Sequence, residues 1–145
     1  MKTDLTVGAY IIHEGKLLLV YHNKLRTWLP PGGHIETNET PDEAVIREVQ
    51  EEVGLEVILL KQAQLNYEPV QRCALPFHTD VHNVGDHNHY GLFYLCKPKT
   101  TEVTLNSKEA KQFRWVTEQD LEDTLYRESV REIGKQAFKR HKELT

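Results

Sequence analysis

The chain has 145 residues, of which 39% are hydrophobic and 28% charged, with a formal charge of −4. That composition belongs to a globular protein long enough to bury a core without disulfide or metal staples. The acidic balance excludes a nucleic-acid binder that works by charge alone, because phosphate contacts need a basic surface. Cys73 and Cys96 stand in no metal-ligand or redox spacing, so both read as reduced thiols and the expected compartment is the cytoplasm.

The opening stretch "MKTDLTVGAYIIHEGKLLLV" carries Lys2, Asp4, Glu14 and Lys16 within its apolar runs. It is therefore read as neither a signal peptide nor a membrane span, and no membrane partner is expected. The runs Leu5–Ile12 and Lys16–His22 predict two strands, with His13-Glu14-Gly15 as the turn of a hairpin. "NKLRTWLPPGG" is punctuated by two prolines and two glycines and predicts a loop. Thr40-Pro41-Asp42-Glu43 then supplies a capping Thr, a Pro at the first helical position and a Glu three residues after the Thr. Gly54 supplies the stop, so a helix is predicted over about Pro41 to Val53.

"LEVILLKQAQLNYEPV" predicts one or two strands, "LPFHTDVHNVGDHNH" a loop, and "YGLFYLC" and "QFRWV" two further strands. Thr117 is placed to cap a brief helix in "TEQDLEDTLY", and Val130, Ile133 and Ala137 recur at helical spacing in a tail helix over Glu128–His141. Interspersed strands and helices without repeats or linkers predict one α/β domain over residues 1–145.

The helix after the glycines carries the chemistry. Projected at about 100° per residue, Val45, Val49, Val53 and Ile46 share one face, while Glu48, Glu51 and Glu52 fall on a neighbouring arc that Ala44 leaves uncluttered. Like charges at these spacings destabilise a helix by roughly 0.2–0.5 kcal/mol per pair. A hard cation relieves that repulsion, and Mg²⁺ prefers preorganised oxygen ligands. Arg47 lies four residues before Glu51, where a guanidinium can hold a carboxylate in a fixed orientation. On helix chemistry alone the glutamates also fit a plain solvated face.

The full spacing separates the two readings. Gly33, five residues, Glu39, seven residues, then Arg47-Glu48-Val49-Gln50-Glu51-Glu52-Val53-Gly54-Leu55 resembles the signature of the Nudix hydrolases at every fixed position. At typical residue frequencies such a match arises on the order of once in 10⁹ starts. The resemblance implies an α/β/α sandwich around a central mixed sheet. It also implies a hydrolase that uses Mg²⁺ or Mn²⁺ to cleave a small nucleotide, a nucleoside diphosphate linked to another moiety.

Carried over residue by residue, the resemblance makes Glu48, Glu51 and Glu52 metal ligands, with the Gly32 carbonyl as a further ligand. Glu36 would approach the metals directly or through water. Arg47 would orient carboxylates, and Glu39 would support the loop–helix geometry. Glu109, six residues ahead of Trp115, stands where family members take one more carboxylate; it and Glu48 are rival candidates for the general base. The chemistry needs such groups, since cations neutralise an anionic phosphate and activate water, and a carboxylate removes the proton.

Lys24 and Arg26 are candidates for phosphate contacts, and Gly33 for close backbone approach to a ligand. Trp28 is a candidate for base stacking, with the core as its alternative. His89 belongs to a segment that also holds His78, Asp80, His82, Asp86 and His87; the segment is a candidate for substrate contact or for a second metal, zinc or manganese. The alternative function is a non-catalytic Nudix-like module that senses a nucleotide. An isomerase on the same fold is disfavoured, because neither cysteine has a convincing pocket context. The tail helix leaves monomer and homodimer both open.

Overall fold

The computed structural model describes residues 1–145. Strands β1 (Thr3–His13) and β2 (Lys16–His22) form the expected hairpin. Its turn places Glu14 at φ 50° and Gly15 at φ 73°, the left-handed pair that a tight hairpin requires.

The segment expected as a loop contains two short strands, β3 (Thr27–Leu29) and β4 (Gly32–His34). β3 pairs with β2, while β4 crosses to pair with β1 at Thr6–His34, Val7–Gly33 and Gly8–Gly32. Pro30 and Pro31 lie between them, where no ladder hydrogen bond is needed from their nitrogens. Sequence reasoning misses both strands because each is three residues long and satisfied only by pairing with distant chain.

Helix α1 (Pro41–Val53) has the expected bounds. Thr40 Oγ1 accepts from Glu43 N at 3.2 Å, and Glu43 Oε1 accepts from Thr40 N at 3.0 Å, closing a capping box. At the other end Gly54 turns left-handed, with φ 68°.

After the helix only β5 (Val57–Leu59) is a strand, and the rest of that apolar stretch is loop. The histidine-rich segment, expected as a loop, instead forms β6 (His78–Asn83), antiparallel to the first half of β7 (Asn88–Pro98). Its polar residues conceal a strand because this hairpin lies at the sheet edge and is largely exposed. β8 (Ala110–Thr117) pairs with β2 along its length. A 3₁₀ turn over Gln119–Glu122 replaces the expected brief helix, with Glu118 rather than Thr117 at its N-cap, although Thr117 Oγ1 accepts from Asp120 N at 3.1 Å. Helix α2 (Glu128–Leu144) ends the chain, running slightly beyond its expected end.

The backbone of the sheet is β3-β2-β1-β7-β5, with β4, β6 and β8 paired to β1, β7 and β2. β1 and β7 run parallel and the other pairings are antiparallel, so the sheet is mixed. Both faces of its centre are covered, which is why "GAYII" and "LLLV" show no polar alternation. Val7, Ala9 and Ile11 of β1 pack with Val45, Val49 and Val53 of α1. The alternate residues Tyr10 and Ile12 pack with Val130, Ala137 and Phe138 of α2. The arrangement is the α/β/α sandwich expected from the resemblance.

One detail of the α1 projection needs correction. Ile46 is 43% exposed, while Ala44 is fully buried. The buried arc therefore runs from Ala44 to Val53, and on the helical projection its middle falls at Glu52. The apolar faces of a sheet and a helix thus close over a carboxylate.

Candidate active site

Two glycines and a helix build the site. β4 runs beside the C-terminal half of α1, with Gly33 directly over Glu48. A Cβ on Gly33 would collide with the Glu48 carboxylate and force it to shift from its place beside Arg47. Gly32 donates its N–H to Glu52 Oε2 at 3.0 Å, fixing one carboxylate oxygen against the turn.

Arg47 ties the surrounding acids together. Its Nε donates to Glu39 Oε2 at 2.7 Å and its Nη2 to Glu39 Oε1 at 3.0 Å, a bidentate pair. Its Nη1 reaches Glu48 Oε1 at 2.9 Å and Glu51 Oε2 at 3.2 Å, and Nη2 also donates to the His34 carbonyl at 2.9 Å. Glu36 lies 3.6 Å from Nη1 and is largely exposed. Glu39 accepts in addition from the Glu36 N–H at 3.0 Å, which closes the loop onto the helix. The Arg47 guanidinium holds the Glu39 carboxyl at a pKa of about 2.

Glu109 arrives from the loop before β8. Asn106 places it: Asn106 N–H donates to the Glu52 carbonyl at 2.9 Å, and the Asn106 carbonyl accepts from Glu109 N and Ala110 N, each at 3.0 Å. The loop thereby docks on the end of α1, and the Glu109 side chain reaches the carboxyl of Glu52. No sequence pattern singles out Asn106; its only local signal is turn chemistry, an Asn whose Oδ1 accepts from Lys108 N at 3.1 Å.

Electrostatics differ sharply along the cluster. Burial pushes Glu52 up to about 9, against the opposing Gly32 N–H bond, with the charges of Glu48 and Glu109 adding to the rise. Burial also raises Glu48, although Arg47 pulls the other way. Carboxyls held away from water and beside one another, with Arg47 reaching Glu48 from one side, suit a divalent ion. Glu48, Glu52 and Glu109 supply converging oxygens, and Glu51, more than half exposed, stands at the rim. The donors present, all oxygens, suit Mg²⁺ or Mn²⁺.

The other candidates divide. Lys24 and Arg26 are exposed on the turn between β2 and β3 and make no ion pair; Asn23 N on this turn donates to the Glu109 carbonyl at 3.0 Å, which sets the turn beside the acidic cluster. Trp28 is 5% exposed and packs in the α2-side core, with Tyr21 against it and the Arg114 guanidinium 4.4 Å from its ring centroid. Its ring has no free face for a base, so the stacking expectation gives way to the core alternative. His89 lies on the opposite face of the sheet from Gly33 and Glu48. It is directly paired with Asp4, one residue out of step with the positions that face α1. The expectation that it contacts substrate at the acidic site is therefore not met.

A mixed sheet between two helices, with carboxylates gathered beneath a glycine turn and bridged by one arginine, defines an α/β sandwich carrying an acidic helix platform. Residues 2–141 match the family model described as the NUDIX domain, and the chain belongs to the Nudix family. It is 27% identical over 118 residues to a MutT-like protein of Streptomyces ambofaciens, covering 81% of this chain and 66% of that one. It is 31% identical over 102 residues to a probable DHNTP pyrophosphohydrolase of Lactococcus lactis subsp. cremoris, covering 70% of this chain and 58% of that one. The chain thus spans two thirds or less of the length of these two relatives. A crystal structure of a NUDIX-family hydrolase from Clostridium perfringens superposes with a TM-score of 0.86 at 30% identity, covering 97% of this chain and 99% of the other. No helix of the chain is long and apolar enough to cross a membrane.

Proposed function

We propose that this chain is a divalent-metal-dependent pyrophosphohydrolase acting on a nucleoside diphosphate linked to another moiety. The observation that carries the reading is the convergence of Glu48, Glu52 and Glu109 beneath Gly32-Gly33, with Arg47 bonded to both Glu48 and Glu51.

Mg²⁺ or Mn²⁺ held by Glu48, Glu51, Glu52, Glu109 and the Gly32 carbonyl would neutralise the phosphate charge and make water acidic enough to attack. The chain's own residues do the rest. Glu52, fixed by the Gly32 N–H, orients one carboxylate oxygen. Arg47 sets the positions of Glu48 and Glu51, and Glu39 holds Arg47 in turn. Glu109 or Glu48 accepts the proton of the attacking water. Water oxygen bonds to phosphorus, the phosphoanhydride bond breaks, and the departing phosphate carries the electron pair. Lys24 and Arg26, on the turn beside Glu109, attract the remaining phosphates.

The relatives' names span a DHNTP pyrophosphohydrolase, an 8-oxo-dGTP diphosphatase from Proteus vulgaris and an RNA pyrophosphohydrolase from Marinomonas sp.. Their shared chemistry is the phosphoanhydride. Net acidity of this chain favours a small nucleotide over RNA.

The test is a panel in Mg²⁺ or Mn²⁺: nucleoside triphosphates, ADP-ribose, nucleotide sugars, dinucleoside polyphosphates, NADH and a 5′-triphosphorylated RNA, with scored phosphate and monophosphate release. Metal-dependent cleavage of one small-molecule class is expected. Cleavage of the RNA alone would overturn the substrate class, and metal binding without cleavage of any compound would return the chain to a sensing role.

A further inference from the structure

The histidine-rich hairpin does something that neither the acidic site nor the fold requires. On the sheet face away from α1, four side chains from three strands and one turn converge. They are Asp4 of β1, His34 of β4, His87 of the β6–β7 turn and His89 of β7, and their ligand atoms all lie within 4.8 Å of one another. Register explains the meeting. Asp4 is paired with His89 across the parallel β1–β7 ladder, and His34 with Thr6, two residues along the same face. His87 and His89, two apart, point the same way.

Three of the distances are close to the edges of a coordination shell. His87 Nε2 lies 3.1 Å from His89 Nε2 and 3.4 Å from Asp4 Oδ2, and His34 Nε2 lies 3.5 Å from the same Asp4 oxygen. A tetrahedron of ligands about 2.0–2.1 Å from zinc has edges of about 3.3–3.4 Å. Nitrogen lone pairs this close repel unless a proton or a cation lies between them.

The outer partners also fit. His87 Nδ1 is 2.6 Å from Asp86 Oδ1, so Asp86 accepts the Nδ1 proton and leaves the Nε2 lone pair facing the cluster. This carboxylate–histidine relay is characteristic of ligating imidazoles. Asp4 divides its oxygens, Oδ1 to Lys2 at 3.4 Å and Oδ2 to the cluster.

We propose that Asp4, His34, His87 and His89 form a second metal site, specific for a zinc-type cation and separate from the acidic site. Three imidazoles and one carboxylate complete a four-ligand shell with no position left open, which makes the site structural. It fastens the start of β1 and the β6–β7 hairpin to β4. His34 is the link between the two sites: its ring belongs to the cluster and its carbonyl accepts from Arg47 Nη2. Occupancy would therefore steady the strand that carries Gly32 and Gly33.

The test is a Zn²⁺ titration of the full chain against a chromophoric chelator in excess Mg²⁺, repeated with Co²⁺ to read the intense visible bands of tetrahedral coordination. Wild type and Glu52→Gln should each bind one tight Zn²⁺. His87→Ala and His89→Ala should weaken it tenfold or more and lose the Co²⁺ bands, with strand content unchanged by circular dichroism. Asp86 is 91% exposed and removable without harm to packing, so Asp86→Asn should fold normally and lower affinity about tenfold. No Zn²⁺ above background in wild type would overturn the proposal. So would loss of Zn²⁺ in Glu52→Gln with retention in both histidine variants, which would place the ion at the acidic site. Failure of catalysis in every assay would leave this result unaffected.

Discussion

Glu52→Gln should remove metal-dependent turnover and at the same time make the metal-free protein more stable. The carboxyl projects at the middle of the buried arc of α1, and burial raises its pKa to about 9 from the ordinary glutamate value of 4.5. Between those values the unfolded chain has lost the proton while the folded chain keeps it. The folded state binds more protons, so stability falls as pH rises through this window. At pH 7 the penalty is about 3 kcal/mol, from about 1.4 kcal/mol per unit over the interval between the ordinary glutamate value and pH 7. Glutamine is the neutral isostere of the protonated acid and can still accept from Gly32 N–H. Urea unfolding in chelator should therefore show the variant more stable by up to about 3 kcal/mol at pH 7, with the gap shrinking toward pH 4.5. Adding Mg²⁺ should stabilise the wild type and leave the variant nearly unmoved. A variant equal to or less stable than wild type in chelator at pH 7 would refute the reasoning, because the buried carboxyl would then carry no desolvation cost.

Other substitutions probe separate parts of the site. Gly33→Ala should displace Glu48 and cut turnover by roughly a hundredfold or more, the scale of misplacing a catalytic group; turnover within threefold of wild type would mean the loop yields easily. Glu109→Gln should lower the rate by roughly a hundredfold or more if that residue is the base, and a twofold loss would assign the role to Glu48. Glu39, held near pKa 2 by Arg47, contributes stability that is fully present above its unfolded value and lost as pH falls through the folded one. Glu39→Gln should flatten acid unfolding between about pH 4.5 and pH 2, and an unchanged acid limb would contradict the pairing. Thr40→Ala should cost about 1 kcal/mol in thermal unfolding through loss of the α1 cap, with a negligible shift counting against the capping box.

Much of the site was legible in sequence because it lies on one continuous element. The bounds of α1 follow from Thr40, Pro41, Glu43 and Gly54, four local signals that act through the backbone of their immediate neighbours. Fixing the helix fixes the relative directions of Glu48, Glu51 and Glu52, since one turn of helix sets where a side chain points. The pairing of Arg47 with Glu51 is readable for the same reason. Glu109 follows from the family resemblance, which implies one more carboxylate ahead of a late strand, and its approach to Glu52 depends on Asn106 docking on the end of the helix.

What the sequence determined, then, was whatever a few neighbouring residues decide by capping, turn chemistry and helical period: α1, the hairpin and the order of acids along the helix. Tertiary structure decided which of those acids is buried. The arc from Ala44 to Val53 turns inward only because β1 and β7 offer it an apolar surface, and Glu52 is carried in with it. It also took Trp28 into the core and turned a polar segment into a strand by giving it β7 as a partner. And it brought Asp4 and His34 to the histidines, a meeting set by strand register, in which alternation along each strand and pairing across the sheet act over distances that local sequence does not encode.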